Sequence, residues 1–177
     1  MLPRLDDTIK IVEQALQQVR NLSLDLRPTL LDDLGLVATL RWYVDRQAKW
    51  GGFEAKFIAK PVEMRLPWEL ETTCFRIVQE SLTNAMRHAN PQKVRIELLL
   101  DDEALKLTIK DDGVGFDVPS AIERAAHGYS MGLLGMQERV ALMGGELEIK
   151  SMQGKGTTVQ ALFPVYWLQR LNRKFTA

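Results

Sequence analysis

The chain has 177 residues, long enough for one domain with a real core plus an appendage. Apolar residues make up 46% and charged residues 26%, and 23 Lys plus Arg balance 23 Asp plus Glu, so no net field exists to hold nucleic acid or an anionic membrane. Cys74 is the only cysteine, which excludes an internal disulfide and a cysteine-based metal cluster and suits a reducing compartment.

No apolar run approaches the roughly eighteen residues of a spanning helix, and residues 1–15 lack the layout of a signal peptide. A cytoplasmic location without membrane contact by this chain is therefore expected, although a longer parent could be membrane-anchored.

Leu2, Leu5, Ile9, Val12, Leu16 and Val19 step by three and four alternately, between Pro3 and Pro28. That seam predicts a bundle or coiled-coil helix over 2–26 that pairs with a second copy of the chain, a helix packing on its own domain being the alternative. Residues 28–35 read as a connection, and Leu36 to Trp50 as a helix closed by Gly51-Gly52. Phe53–Ile58 reads as a strand. Pro67 opens a long helix through Ala89, with Glu69 and Glu71 in its first turn, and Asn90-Pro91 stops it.

Val94, Ile96, Leu98 and Leu100 alternate with polar residues, Asp101-Asp102-Glu103 turns the chain, and Leu105, Leu107 and Ile109 alternate again, which predicts a hairpin with one buried face. Residues 113–131 lack periodicity and read as a mobile loop. A helix from Gly132 to Met143 ends at Gly144-Gly145. Glu146–Ser151 and Thr157–Phe163 form a last hairpin, and the tail after Pro164 is left as a short helix or frayed end.

The expected fold class is therefore α/β (α+β): a two-layer sandwich of a mixed, mostly antiparallel sheet with helices on one face, preceded by the N-terminal helix. The expected units are 1–27, 28–164 and the tail 165–177.

Four apart on one helix, Glu80, Asn84 and His88 form a nearly axial stripe with Arg87 beside it. An Asn amide oxygen can ligate magnesium without adding negative charge beside a triphosphate. Glu80 could orient a water or accept a proton, and Arg87 and His88 could meet phosphate oxygens. A solvated polar helix face would look the same.

Asp111 closes an apolar strand and precedes Gly113 and Gly115. A carboxylate there can accept from the exocyclic amino group of adenine, whereas guanine's carbonyl would be repelled. The glycines remove side chains from the path of base and sugar; a plain Asp-Gly turn is the alternative. Two further glycine clusters, Gly132-Leu133-Leu134-Gly135 leading into a helix and Gly154-Lys155-Gly156-Thr157 in the last hairpin, favour a nucleotide site. The Walker pattern is absent.

In this order and spacing the motifs resemble the catalytic ATP-binding domain of sensor histidine kinases, within the Bergerat-type superfamily of gyrase, the Hsp90 chaperones and the mismatch-repair ATPases. The run Leu26-Arg27-Pro28 through Gly35-Leu36 and the run Gln79-Glu80 through His88-Ala89 are similar to the junction and N box of the nitrate/nitrite-sensor-like subfamily.

The resemblance implies that Asn84 binds magnesium, that Glu80 lies near the γ-phosphate and that Asp111 reads adenine. Arg87, His88, Gly113, Gly115, Gly132, Leu133, Gly135, Gly154, Gly156 and Thr157 would complete the ATP site, with residues 116–131 as its lid. The implied chemistry is transfer of the γ-phosphoryl of Mg-ATP to a histidine, then to a response regulator with a helix-turn-helix output domain. The seam over 2–26 would be the second helix of the dimerisation region.

Two departures stand out. Ser130 takes the place of the first glycine of the second glycine motif. The only histidines, His88 and His127, fall in the N box and the lid, so no acceptor histidine is present and no self-phosphorylation is expected. A hydrolytic ATPase of the same superfamily and a degenerate nucleotide-binding module are the competing readings.

Overall fold

Alternation of apolar and polar residues across 93–111 does make a hairpin: β2 (Lys93–Leu100) and β3 (Ala104–Asp111) pair antiparallel, with Ile96 opposite Ile109 and Leu98 opposite Leu107. The turn is held by Asp101, whose Oδ1 accepts from the amides of Glu103 and Ala104 at 2.9 and 2.8 Å. Those bonds hold its carboxyl below the usual range. The computed structural model describes residues 29–60, 65–126 and 131–164. The seam over 2–26, the tail after Pro164, His127 and Ser130 lie outside the described residues.

β1 (Glu54–Ala59) adds to β2 in parallel, while β5 (Thr157–Pro164) and β4 (Glu146–Ser151) extend the sheet antiparallel from β3. The order is β1-β2-β3-β5-β4, a mixed and mostly antiparallel sheet as expected. Exposed and buried residues alternate along β2, so helices cover one face only. Between the layers lie Leu40, Val44, Phe75, Ile77, Leu82, Ile96, Leu107, Met136 and Phe163, each essentially without solvent exposure.

Among the described residues, four α-helices make the second layer: α1 (Thr29–Gly51), α2 (Trp68–Asn84), α3 (Val118–Ala126) and α4 (Met131–Leu142). The expected connection over 28–35 is itself helical from Thr29, and the chain kinks at Gly35, whose φ of 74° suits only glycine. Carbonyls stranded by the kink find donors. Arg65 Nη2 donates to Leu31 O and Asp32 O at 3.1 and 2.7 Å, and Thr39 Oγ1 reaches Leu30 O and Gly35 O at 2.9 and 2.8 Å.

Two further expectations are corrected. The loop read over 113–131 contains α3, started by Asp117: its Oδ2 accepts from the Ser120 amide at 2.9 Å and its carbonyl from the Ala121 amide at 3.1 Å. The long helix from Pro67 is α-helical only to Asn84. Ala85–Ala89 is a single π-helical turn, closed by the Asn90 amide on Ala85 O at 3.1 Å and by Asn90 in a left-handed conformation.

Phe75 on α2 meets Tyr43 of α1 edge to face, ring centroids 5.1 Å apart. Cys74 beside it is fully buried, and desolvation, reinforced by nearby Glu71, pushes its thiol far above the ordinary range. Because Phe75 ties α2 to α1, Phe75→Ala should cost about 3–5 kcal/mol in denaturant unfolding. A loss below about 1 kcal/mol would show that this contact does not hold the helical layer.

Candidate functional site

The sheet register builds the floor of the site in two rows. Ile109, Val159 and Ile149 lie side by side on β3, β5 and β4. Two residues along each strand, on the same face, come Asp111, Thr157 and Ser151; Ser151 pairs directly with Thr157, and the Thr157 amide donates to Asp111 Oδ1 at 3.2 Å. An apolar row thus runs into a polar one. Above both lies a cavity of about 410 Å³, roofed from α2 and the π turn by Ser81, Asn84, Ala85, His88 and Ala89. Phe116, Ala121, Leu133 and Met136 close its flank.

Asp111 is held by backbone. Its Oδ1 accepts from the amides of Gly113 at 2.9 Å and Thr157 at 3.2 Å, while Oδ2 has no hydrogen-bond partner among the described residues. Burial pushes its carboxyl above the ordinary range; the two amide bonds oppose that shift and Asp112 adds to it. Asp112 faces away, its Oδ1 taking the amides of Gln92 and Lys93 at 2.8 Å each and tying the turn to the start of β2.

Backbone packs against backbone around this carboxylate. A side chain at Gly156 would run into the Asp111 carbonyl, and one at Gly113 into the Ala89 carbonyl. The latter carbonyl accepts the Val114 amide at 3.0 Å, which joins the π turn to the segment after β3. Gly115 lines the cavity at φ 63°, against the Met152 carbonyl.

On the helix side, Asn84 Nδ2 donates to Glu80 Oε1 at 3.1 Å, so the amide presents its Oδ1, which makes no bond among the described residues. Glu80 does not line the 410 Å³ cavity. It borders a neighbouring one of about 740 Å³ with Gln47, Arg76, Arg87 and Arg139. Its carboxylate rests on Gly132, where a Cβ would collide with it.

The structure therefore divides the sequence-derived set. Asn84, His88, Asp111, Gly115, Leu133 and Thr157 line one cavity. Gly113 and Gly156 shape it through backbone contacts, and Gly132 faces the Glu80 carboxylate. Arg87 turns to the second cavity, parted from His88 beside it. Gly154 sits at the hairpin tip, φ 78°, with open space around it, and Gly135 lies against the Arg139 guanidinium.

Sequence reasoning missed the apolar walls from Ile109, Phe116, Ala121, Met136, Ile149 and Val159. The alternation of β3, β4 and β5 carried part of that signal, but only the register shows the three β-branched residues side by side. The site offers an apolar slot ending in a carboxylate oxygen unpaired among the described residues, with an amide oxygen and an imidazole in its roof. It suits a planar heterocycle with an exocyclic amino group and an anionic appendage.

Residues 69–166 match the family described as histidine kinase-, DNA gyrase B-, and HSP90-like ATPase. The chain is 36% identical over 174 residues to the sensor histidine kinase MctS of Rhizobium johnstonii, covering 98% of this chain and 37% of that protein. It is likewise 36% identical over 158 residues to the oxygen sensor histidine kinase NreB of Staphylococcus carnosus, covering 88% of this chain and 44% of the relative. This chain thus spans less than half the length of these relatives. In fold it is similar to the histidine kinase domain of a blue-light activated kinase from Erythrobacter litoralis, with a TM-score of 0.60 and 24% identity, covering 77% of this chain and 64% of that one.

A raised carboxyl pKa means that the folded chain holds the Asp111 proton more tightly than the unfolded chain. The stabilisation is fully present below the unfolded value and is lost as pH rises through the folded one. Without ligand, Asp111→Asn should therefore melt no lower than wild type at neutral pH, with its advantage shrinking as pH falls through the raised folded value and gone below the ordinary carboxylate value. Thermal melts of both proteins across that range test this; a variant markedly less stable at neutral pH would contradict it.

Proposed function

The chain belongs to the family of histidine kinase-, DNA gyrase B-, and HSP90-like ATPases, and from that premise we propose that it is the ATP-binding catalytic part of a sensor histidine kinase, with adenine seated on Asp111. The observation that carries the reading is the unpaired Asp111 Oδ2 at the polar end of an apolar slot. Its partner oxygen is already saturated by two amides. An exocyclic N–H completes Oδ2, and a carbonyl at that position would face a bare carboxylate. Ile109, Val159, Ile149 and Phe116 would hold the faces and edge of the base.

The phosphates would run toward His88, Asn84 and the start of α4, where helix amides favour anions. No group of three or more His, Cys, Asp or Glu side chains that could hold a metal ion occurs among the described residues. A single amide oxygen suits magnesium, which takes most of its ligands from phosphate and water. Asn84 Oδ1 is that oxygen, oriented by the bond from its Nδ2 to Glu80. Magnesium so bound would neutralise charge on the transferring phosphoryl group.

Glu80 acts here as a positioning group for Asn84 and borders the second cavity. The phosphoryl acceptor would be a histidine on a partner segment of the longer kinase, followed by an aspartate on a response regulator with a helix-turn-helix output domain. Dimerisation would run through residues 2–26.

Calorimetric titration tests the reading. Mg-ATP should bind the wild type, Asp111→Asn should weaken binding roughly tenfold to a hundredfold, and Asn84→Ala should bind ATP equally with and without magnesium. Unchanged affinity in Asp111→Asn would remove the adenine assignment. A second titration addresses the helix side. Gly132→Ala displaces Glu80 from Asn84 and should weaken Mg-ATP binding about three- to tenfold with little change in melting temperature.

A further inference from the structure

Ser151, at the end of β4, is absent from the cavity wall, yet its hydroxyl decides what the wall offers. Three groups meet its Oγ: the Phe116 amide at 2.9 Å, the Gly156 carbonyl at 3.0 Å and the Thr157 hydroxyl at 3.0 Å. A serine hydroxyl has one proton and two lone pairs. The amide can only donate and the carbonyl can only accept, so one lone pair and the single proton are committed. The remaining lone pair faces Thr157, and Thr157 must supply the proton of that bond.

Thr157 Oγ1 is thereby left with lone pairs alone on the cavity side. Its backbone amide is bonded to Asp111 Oδ1, and both residues line the cavity.

We propose that Ser151 is a specificity-determining positioning residue: by taking the Thr157 hydroxyl proton it makes Thr157 a second obligate acceptor beside Asp111, so that an amino-bearing purine edge is accepted and a carbonyl-bearing one excluded. The inference rests on the proposed adenine reading and deepens it. Adenine's amino group carries two protons for two acceptors. Guanine's carbonyl meets two acceptors and finds no donor. Without Ser151, the Thr157 hydroxyl can turn its proton into the cavity and satisfy that carbonyl.

The test is the ratio of Mg-ATP to Mg-GTP affinity, measured by competition against a fluorescent adenine nucleotide. Ser151→Ala should lower the ratio about tenfold, chiefly by improved GTP binding, and Ser151→Thr, which keeps the hydroxyl, should retain it. In a Thr157→Val background, Ser151→Ala should leave the ratio unchanged, because the residue acts through that hydroxyl. A merely structural role would weaken both nucleotides alike and leave the ratio unmoved. A wild type that prefers ATP while Ser151→Ala keeps the full ratio overturns the Ser151 assignment alone. The same drop in the Thr157→Val background does likewise. A wild type that binds neither nucleotide, or both equally, overturns the adenine reading and this inference with it.

Discussion

The site depends on how one buried carboxylate is held. Asp111 sits at the last position of β3, and the amides on its Oδ1 come from the turn that follows it and from the first residue of β5. The same oxygen therefore fastens two strands and leaves its partner bare. An ionised carboxyl in this position opposes folding, as its upward shift records, and such a cost is tolerated where a ligand needs the charge. Gly113 and Gly156 follow from this arrangement, because the backbone must close on itself around Asp111 with no Cβ in between.

The helical layer meets that strand end through the π turn. The carbonyl of Ala89, its last residue, takes the Val114 amide, and its Arg87 and His88 face different cavities. π turns recur at functional sites because they re-aim side chains without ending the helix. One turn earlier, Glu80 and Asn84 form a bonded pair, Asn84 lining the first cavity and Glu80 the second, with Gly132 pressed on the carboxylate from α4. The beginning of α4 is thus fixed to α2 by a contact that only glycine permits.

Much of this was legible in the sequence, and the exceptions have physical causes. Strands β2 to β5 were visible because each has one buried face and therefore a period of two. Asp111, Asn84 and Thr157, which line the cavity, were legible as candidates because a strand end, an axial helix stripe and a glycine turn leave local signs. The π turn left none: Asn90-Pro91 marked the stop, and nothing marked the change of winding before it. Helix α3 was hidden by Pro119 and by its short apolar stripe, although Asp117 three residues before Ser120 was a cap in plain view. Residues 29–34 looked like a connection because the donor to their carbonyls, Arg65, lies more than thirty residues away. Ser151 was an unremarked polar residue until the register placed it beside Thr157.

Seating adenine in this slot requires Asp111 Oδ2 to receive its amino group. A crystal structure of the chain with Mg-ADP tests it most directly. The exocyclic nitrogen should lie about 2.9 Å from Asp111 Oδ2, with the base between the Ile109–Val159–Ile149 row and the π turn. A nucleotide whose base lies elsewhere, for example beside Gln47 and Arg139 in the second cavity, would contradict it.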